Sequence, residues 1–370
     1  LPAAAVTRGA RPGDADTTVT IRSQGSKPDG VVGVDNFGAR SGGAVRAGAT
    51  ANLNNPTGRG DVLSASVQVA ERSGSELFRV GYSTTLNGHA TKLGFTVTRT
   101  EYSLGKQFEA LGATGTGDIY ALTATHPLIR SRTRNLIGAL TYEHKVLDDE
   151  TSTPPTDSRR RIHSVRASLL GNFVDNAIGS SFNSYSVNYT HGELSLDPAT
   201  RASDTGPTGL RTSGSFGKLN ADFLRTTFLS AESRVSIGLQ AQLASRNLTS
   251  AEKIGLGGPN GVRGYPVGEA VGDTGAILNL EYRRQLPDLW KVPLSASAFY
   301  DYGYIKYNEA GAPFPVSPAS ESLGSVGLGL TAGRYGDYLF TTQLAWRTDR
   351  APASDPDRRP RLWLSLQKWL

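Results

Sequence analysis

The feature that most constrains this chain is a hydrophobic period of two, which recurs along most of its length. In residues 180–192, 232–246 and 292–307, apolar side chains alternate with Ser, Thr, Asn, Gln and Gly. Because successive side chains on a β-strand point to opposite faces, each segment predicts a strand with one apolar and one polar face. The fold class is therefore predicted to be all-β.

A soluble β-sandwich would show the same alternation with its apolar faces turned inward. Two features favour a membrane barrel instead. The polar faces are mostly small and uncharged, which suits a wet interior, and short connections alternate with long ones, as in outer-membrane barrels. Hydrophobic residues make up only 38% of the chain, and no run of about 18 apolar residues could span a membrane as a helix. The sequence predicts a transmembrane β-barrel.

Sixteen segments carry the alternating pattern, and an even number lets an antiparallel meander close with both ends on one side. The predicted strands lie near 30–39, 44–53, 62–71, 77–87, 91–103, 118–127, 135–147, 161–173, 180–192, 214–228, 232–246, 275–286, 292–307, 322–333, 338–348 and 361–370. If residue 30 starts on the periplasmic side, long connections such as 105–118, 148–161 and 247–274 face outward. The apolar last strand is expected to pair with the first, because an open edge is not tolerated in lipid.

Composition argues against an enzyme or a nucleic-acid-binding protein. The chain has no cysteine, and its five histidines are scattered singly, without the spacing of metal ligands. Its formal charge is +6, and the densest basic run, 159–161, is interpreted as a solvated loop edge. The glycines of 255–261 lack the Gly-Lys-Ser/Thr of a phosphate loop. We predict no catalytic site, metal, cofactor or nucleic-acid partner.

The 247–274 connection, between the eleventh and twelfth predicted strands, is too long for a simple turn. Its many glycines permit tight bends, so the loop could fold inward with Arg263 as its anchor. The candidate partner is Asp301 on the polar face of the thirteenth strand, and Glu281 and Arg283 share the polar face of the twelfth. An exposed loop arginine and a solvated wall aspartate remain the alternatives. In a wet lumen the pair is expected to contribute about 1 kcal/mol.

Two short motifs carry a family resemblance. Val262, Arg263, Gly264 and Tyr265 form a VRGY sequence, and Phe299, Asp301 and Gly303 form F-x-D-x-G about 36 residues later. Together with 30–63, 110–119, 127–132 and 254–265, they resemble the two-partner secretion outer-membrane transporters (TpsB). This is the haemolysin and filamentous-haemagglutinin secretion protein type within the POTRA-barrel superfamily.

The resemblance implies a 16-stranded barrel whose sixth surface loop plugs the lumen, with Arg263 paired to Asp301. It also implies two periplasmic POTRA domains and a plug helix, for which we find no counterpart in this sequence. Residues 1–29 are therefore expected to be a POTRA remnant and linker, with a strand near Thr17–Ile21, and residues 30–370 the barrel.

The implied function is an outer-membrane channel that exports a large unfolded exoprotein, such as an adhesin, a haemolysin or a contact-dependent toxin, without nucleotide hydrolysis. The expected partners are that client and the lipid of the bacterial outer membrane. An assembly factor of the BamA type, which inserts other barrels, is the first alternative, and the stretch 30–63 favours secretion over it. A passive porin is the second alternative, and a porin would not need the VRGY motif.

Overall fold

The computed structural model describes residues 3–8, 15–20, 28–310 and 318–370. The elements are β1 (Ala3–Arg8), β2 (Ala15–Thr20), β3 (Pro28–Asp35), β4 (Arg46–Asn54), β5 (Val62–Ala70), β6 (Ser75–Thr85), β7 (Lys92–Ser103), β8 (Thr114–Arg130), β9 (Arg134–Ser152), β10 (Pro155–Asp175), β11 (Ser180–Leu196), α1 (Pro198–Thr205), β12 (Gly214–Phe228), β13 (Ser233–Ala244), β14 (Ile254–Gly255), β15 (Val271–Gly272), β16 (Thr274–Leu289), β17 (Val292–Lys306), β18 (Ser320–Arg334), β19 (Tyr338–Arg347) and β20 (Arg361–Trp369).

The strands from β3 to β20, apart from the short pair β14–β15, form one closed antiparallel barrel of 16 strands. Each barrel strand pairs with its neighbour in the chain, and β20 returns to β3 through residues 365–369 and 31–35. The side chain of Asn36 extends this seam, since its Nδ2 donates to the carbonyl of Leu362 and its Oδ1 accepts from the amide of Leu364. The predicted fold and closure are confirmed.

Strand β17 shows how the alternation places side chains. Tyr300, Tyr302 and Tyr304 are exposed on the outer surface, whereas Phe299 and Asp301 are buried on the inner one. The apolar positions thus form the outer belt that lipid requires, and the polar positions turn toward the lumen. No helix within the described residues is long and apolar enough to cross a membrane.

The prediction of a long outward loop at 148–161 is wrong. Strands β9 and β10 continue to Ser152 and from Pro155, and only two residues turn between them. Beyond the membrane both faces of a hairpin meet water, so charged residues replace the alternation by which the sequence revealed the other strands. The basic run at 159–161 lies within β10 and not at a loop edge: Arg159 pairs with Asp148 across the hairpin.

The lumen is less wet than the sequence suggested. Leu256 and Val262 of the long connection pack on the inward-facing Ile277, Ile305 and Leu323, and all five are buried. These inward apolar side chains are tolerated because the loop covers them, which the alternation of a single strand cannot reveal.

The first two strands form a separate antiparallel hairpin. Residues Ala3–Arg8 of β1 pair with Ala15–Thr20 of β2. The strand expected at Thr17–Ile21 overlaps β2 as far as Thr20, and Ile21 lies outside the described residues. The first barrel strand starts at Pro28, two residues before the expected boundary.

Candidate functional site

The connection between β13 and β16, residues 245–273, folds into the barrel and is called the inward loop. Its neck is fastened by the β14–β15 pair and by a 3.0 Å hydrogen bond from the amide of Leu256 to the carbonyl of Ala270. Beyond the neck, Val262 and Tyr265 are fully buried. The loop therefore occupies the lumen with a packed tip.

Arg263, at that tip, binds Asp301 on the wall strand β17. Its Nη2 lies 2.8 Å from Oδ1, and its Nε lies 3.0 Å from Oδ2 and 3.2 Å from Oδ1 of the same carboxylate. The backbone amide of Arg263 also donates to Oδ2 over 3.0 Å. This is the fork geometry in which guanidinium and carboxylate match, with a further bond that fixes the loop backbone.

Neighbouring strands complete the polar shell of this pair. The Nδ2 of Asn279 donates to Asp301 Oδ1 over 2.8 Å, and the hydroxyl of Ser325 donates to Oδ2 over 2.9 Å. The remaining Nη1 of Arg263 donates to Glu281 Oε2 over 2.9 Å, and Arg283 pairs with the other oxygen of Glu281 over 2.7 Å. The structure thus brings together all four charged residues singled out in the sequence.

Three further motif residues, Phe299, Gly303 and Gly264, shape the surroundings of Arg263. The guanidinium carbon lies 3.3 Å from the ring centroid of Phe299, a cation–π contact. A Cβ on Gly303 would stand 3.0 Å from Val262 Cγ2, and a Cβ on Gly264 would stand 2.9 Å from the backbone nitrogen of Arg347. Glycine at these two positions therefore lets the loop lie close against the wall.

Burial changes the energetics expected of the anchor. Arg263 is 5% exposed and Asp301 is 0% exposed, so the estimate of about 1 kcal/mol for a solvated pair does not apply. Burial alone would lower the pKa of Arg263, but hydrogen bonds and attraction from Asp301 and Glu281 outweigh it and raise that pKa. Removing one partner would leave a buried charge uncompensated, which costs about 3–5 kcal/mol.

A second attachment joins the inward loop to the outer connection 348–360. Glu269 accepts from the amides of Ala353 and Ser354, both over 2.9 Å, and pairs with Arg350 over 2.7 Å. Burial would raise the pKa of Glu269, yet the two amides, the Ser354 hydroxyl and Arg350 hold it below its ordinary value. The tip is also held by Trp363, whose Nε1 donates to the carbonyl of Arg263 over 2.8 Å.

A third attachment holds the start of the loop. The buried Glu252 pairs with Lys145 of β9 and Lys218 of β12, each over 2.7 Å. Burial would raise the pKa of Glu252, but the two lysines outweigh it and lower that pKa. Sequence analysis missed Glu252 and Glu269, although carboxylates inside a glycine-rich, inward-folding loop are a signal that further anchors exist.

Among the described residues there is no group of three or more His, Asp or Glu side chains that could hold a metal ion. The attachments of Glu252, Arg263 and Glu269 fix the inward loop at its start, at its tip and near its return to the wall.

Comparison with known proteins agrees with this architecture. Residues 15–332 match the family model described as haemolysin secretion/activation protein ShlB/FhaC/HecB. The chain is 28% identical over 361 residues to the heme/hemopexin transporter protein HuxB of Haemophilus influenzae, covering 97% of this chain and 63% of that protein. It therefore spans less than two thirds of the length of that curated relative.

Solved structures show the same fold. CdiB from Escherichia coli superposes with a TM-score of 0.80 at 20% identity, covering 100% of this chain and 67% of that one. BamA from Haemophilus ducreyi, lacking POTRA domains 1–3, gives a TM-score of 0.63 at 13% identity, with 100% and 75% covered. The extent of the family match, together with the barrel, shows that the chain belongs to the TpsB family of two-partner secretion transporters in the bacterial outer membrane.

Proposed function

We propose that this chain forms the channel through which a large, unfolded partner exoprotein crosses the outer membrane without nucleotide hydrolysis. The observation that carries the proposal is the inward loop, held inside the lumen by the buried contact of Arg263 with Asp301. The plug is held by side-chain contacts, polar at Arg263 and apolar at Leu256 and Val262, so it can be released without unfolding the barrel, whose own strands are joined by backbone ladders.

Export requires the loop to leave its position. Tyr265 donates through its hydroxyl to the carbonyl of Arg350, so the tip reaches from the β17 wall to the outer connection 348–360. An extended chain passing there must displace the tip, and the contacts of Arg263 and Glu269 must break while it passes. Folding of the client outside the cell would then bias the direction of movement.

The test measures export by the full-length protein with its cognate client. Arg263→Ala is expected to leave a folded, heat-modifiable barrel in the membrane while lowering client export several-fold or altering channel conductance. Arg132→Ala is the matched control, because Arg132 is exposed in the short connection 131–133 and forms no ion pair with any described residue. Wild-type export and conductance by Arg263→Ala would show that the anchor has no part in transport.

Depleting the protein from cells separates the two alternatives. If the chain is an assembly factor, depleting it lowers the amount of other outer-membrane barrels, whereas a secretion channel lowers only its client. If it is a passive porin, small solutes pass at the same rate whether or not a client is present. The proposed function predicts loss of one exported protein with normal levels of other barrels.

A further inference from the structure

Six apolar side chains stand exposed on the lumen face, near the barrel end with the short turns. They are called the mouth patch and lie on β9 to β12, with exposed fractions between 40% and 48%: Ile137, Leu170, Val174, Phe182, Leu224 and Phe228. Val174 is paired with Phe182, and Leu224 and Phe228 are the diagonal neighbours of Phe182, so these four are adjacent. Ile137 is paired with Leu170 beyond the hydrogen-bonded Asn135 and Asn172.

Strand register places this patch inside the barrel. Residues paired directly across an antiparallel ladder lie on the same face of the sheet. Leu224 pairs with Gly238, which pairs with Asn279, which pairs with Asp301, the partner of the inward loop. Phe182 pairs with Thr226, which lies on the same face of β12 as Leu224, so Phe182 also faces the lumen.

An uncovered patch of this kind is unexpected in a water-filled lumen. By contrast, the inward side chains of Ile277 and Ile305 are covered by the inward loop. Exposed contiguous apolar surface is unfavourable in water and commonly marks an interaction site. The mouth patch is therefore a surface that a partner would cover.

Two cavities join the patch to the inward loop. One of about 510 Å³ is lined by Asn260 and Arg263 of the loop and by Leu224. The second, of about 390 Å³, is lined by Phe182 and Phe228 and continues to the short-turn end. Both share Ser236 and Glu281 in their walls, so together they form one groove along the lumen wall.

The far end of the groove is positively charged. Arg234 and Arg283 both line it. Arg283 pairs with Glu281, but Arg234 is exposed and forms no hydrogen bond or ion pair among the residues that the structure describes. A carboxylate on a bound chain would complement Arg234.

We propose that the groove is the site where the exported polypeptide first docks inside the barrel. Its ligand is an extended segment with apolar side chains at alternate positions and an acidic residue near Arg234. Leu224 and Phe228 share one face and are four residues apart on β12, a span of about 13 Å that about four extended residues would match. This inference rests on the proposed function and adds where, and by which chemistry, the client is held.

Photo-crosslinking in the full-length protein tests the placement. p-Benzoylphenylalanine is introduced at Phe182 or Phe228, at Gln68 on the opposite lumen wall, and at Tyr189 on the lipid-facing surface. With the client arrested in transit, crosslinks to client from positions 182 and 228, and none from position 189, support the inference. Client crosslinks from position 68 but not from 182 or 228 overturn it and leave the proposed function standing.

Other occupants have distinct outcomes in the same experiment. Crosslinks from 182 and 228 only to lipid, or only to residues of this chain, overturn the inference. If no lumen position crosslinks to the client, both the inference and the proposed function fail.

Substitutions test the chemistry. Phe182→Asn with Phe228→Asn should lower client export about tenfold, whereas Phe182→Leu with Phe228→Leu, which keeps the surface apolar, should export near the wild-type level. Arg234→Glu should lower export and Arg234→Lys should not. Heat-modifiability checks that each barrel has folded. Normal export by both the double Asn variant and Arg234→Glu would overturn the inference.

Discussion

Loss of the Arg263 side chain should release the loop tip without unfolding the barrel. Arg263→Ala removes the fork to Asp301 but leaves that carboxylate the hydrogen bonds of Asn279, Ser325 and the backbone amide of residue 263. The cost should therefore lie at the lower end of the range for breaking a buried pair, about 3 kcal/mol. At about 1.4 kcal/mol per factor of ten, the equilibrium between displaced and seated loop should shift about 100-fold.

Because the chain has no cysteine, labelling of a single introduced cysteine can report movement of the loop. Val262→Cys places a small apolar thiol at a position that is fully buried, so a water-soluble maleimide can react only when the loop leaves the wall. Adding Arg263→Ala should speed labelling about 100-fold, and Arg263→Lys, which keeps the charge but not the fork, should give an intermediate rate. Leu86→Cys in an exposed turn measures the unprotected rate.

One labelling result would contradict this role of Arg263. If Arg263→Ala changes the labelling rate at residue 262 by less than about threefold, the fork does not hold the tip. The attachments of Glu252 and Glu269, the Trp363 hydrogen bond and the apolar packing of the loop would then hold it.

Two further outcomes follow from the site. Gly264→Ala should lower the temperature at which the barrel loses heat-modifiability, because its Cβ would meet the Ser325 side chain at 2.8 Å and overpacking costs about 1–3 kcal/mol. Gly88→Ala, which has open space around it, should leave that temperature unchanged. Equal behaviour of the two variants would contradict the close approach of Gly264 to the wall. The attachment of Glu269 should persist at neutral pH and weaken only as pH falls below the ordinary carboxyl pKa of 4.5 toward the lowered pKa of the folded protein. The reason is that protonation removes the charge that the amides and Arg350 stabilise. Channel conductance that changes between pH 8 and about 5, well above that carboxyl range, would argue against this assignment.

The alternation of apolar and polar side chains predicted the barrel, its 16 strands and the inward face of Asp301. That success has a physical basis, because a membrane imposes one apolar face on every spanning strand. The meeting of Arg263 with Asp301 was predicted from the motif resemblance and the shared polar face, since a sequence period alone does not say where a loop folds.

Other parts of the site were beyond reach from the sequence. The hairpin of β9 and β10 extends beyond the membrane, where no apolar face is required, so its strand residues were interpreted as loop. The mouth patch consists of apolar residues on the polar face of each strand, and it emerges only when the register sets four strands side by side.

A reversible lock on the loop tests the central claim most directly. A Cβ on Gly303 would lie 3.0 Å from Val262 Cγ2, about the distance between a sulfur and the far Cβ of a disulfide. In the full-length protein, Val262→Cys with Gly303→Cys should block client export when oxidised and restore it on reduction to the level of the Gly303→Cys single variant, whose export should not depend on the redox condition. Equal export by the oxidised and reduced double variant, with the disulfide verified, would show that the client passes without moving the inward loop.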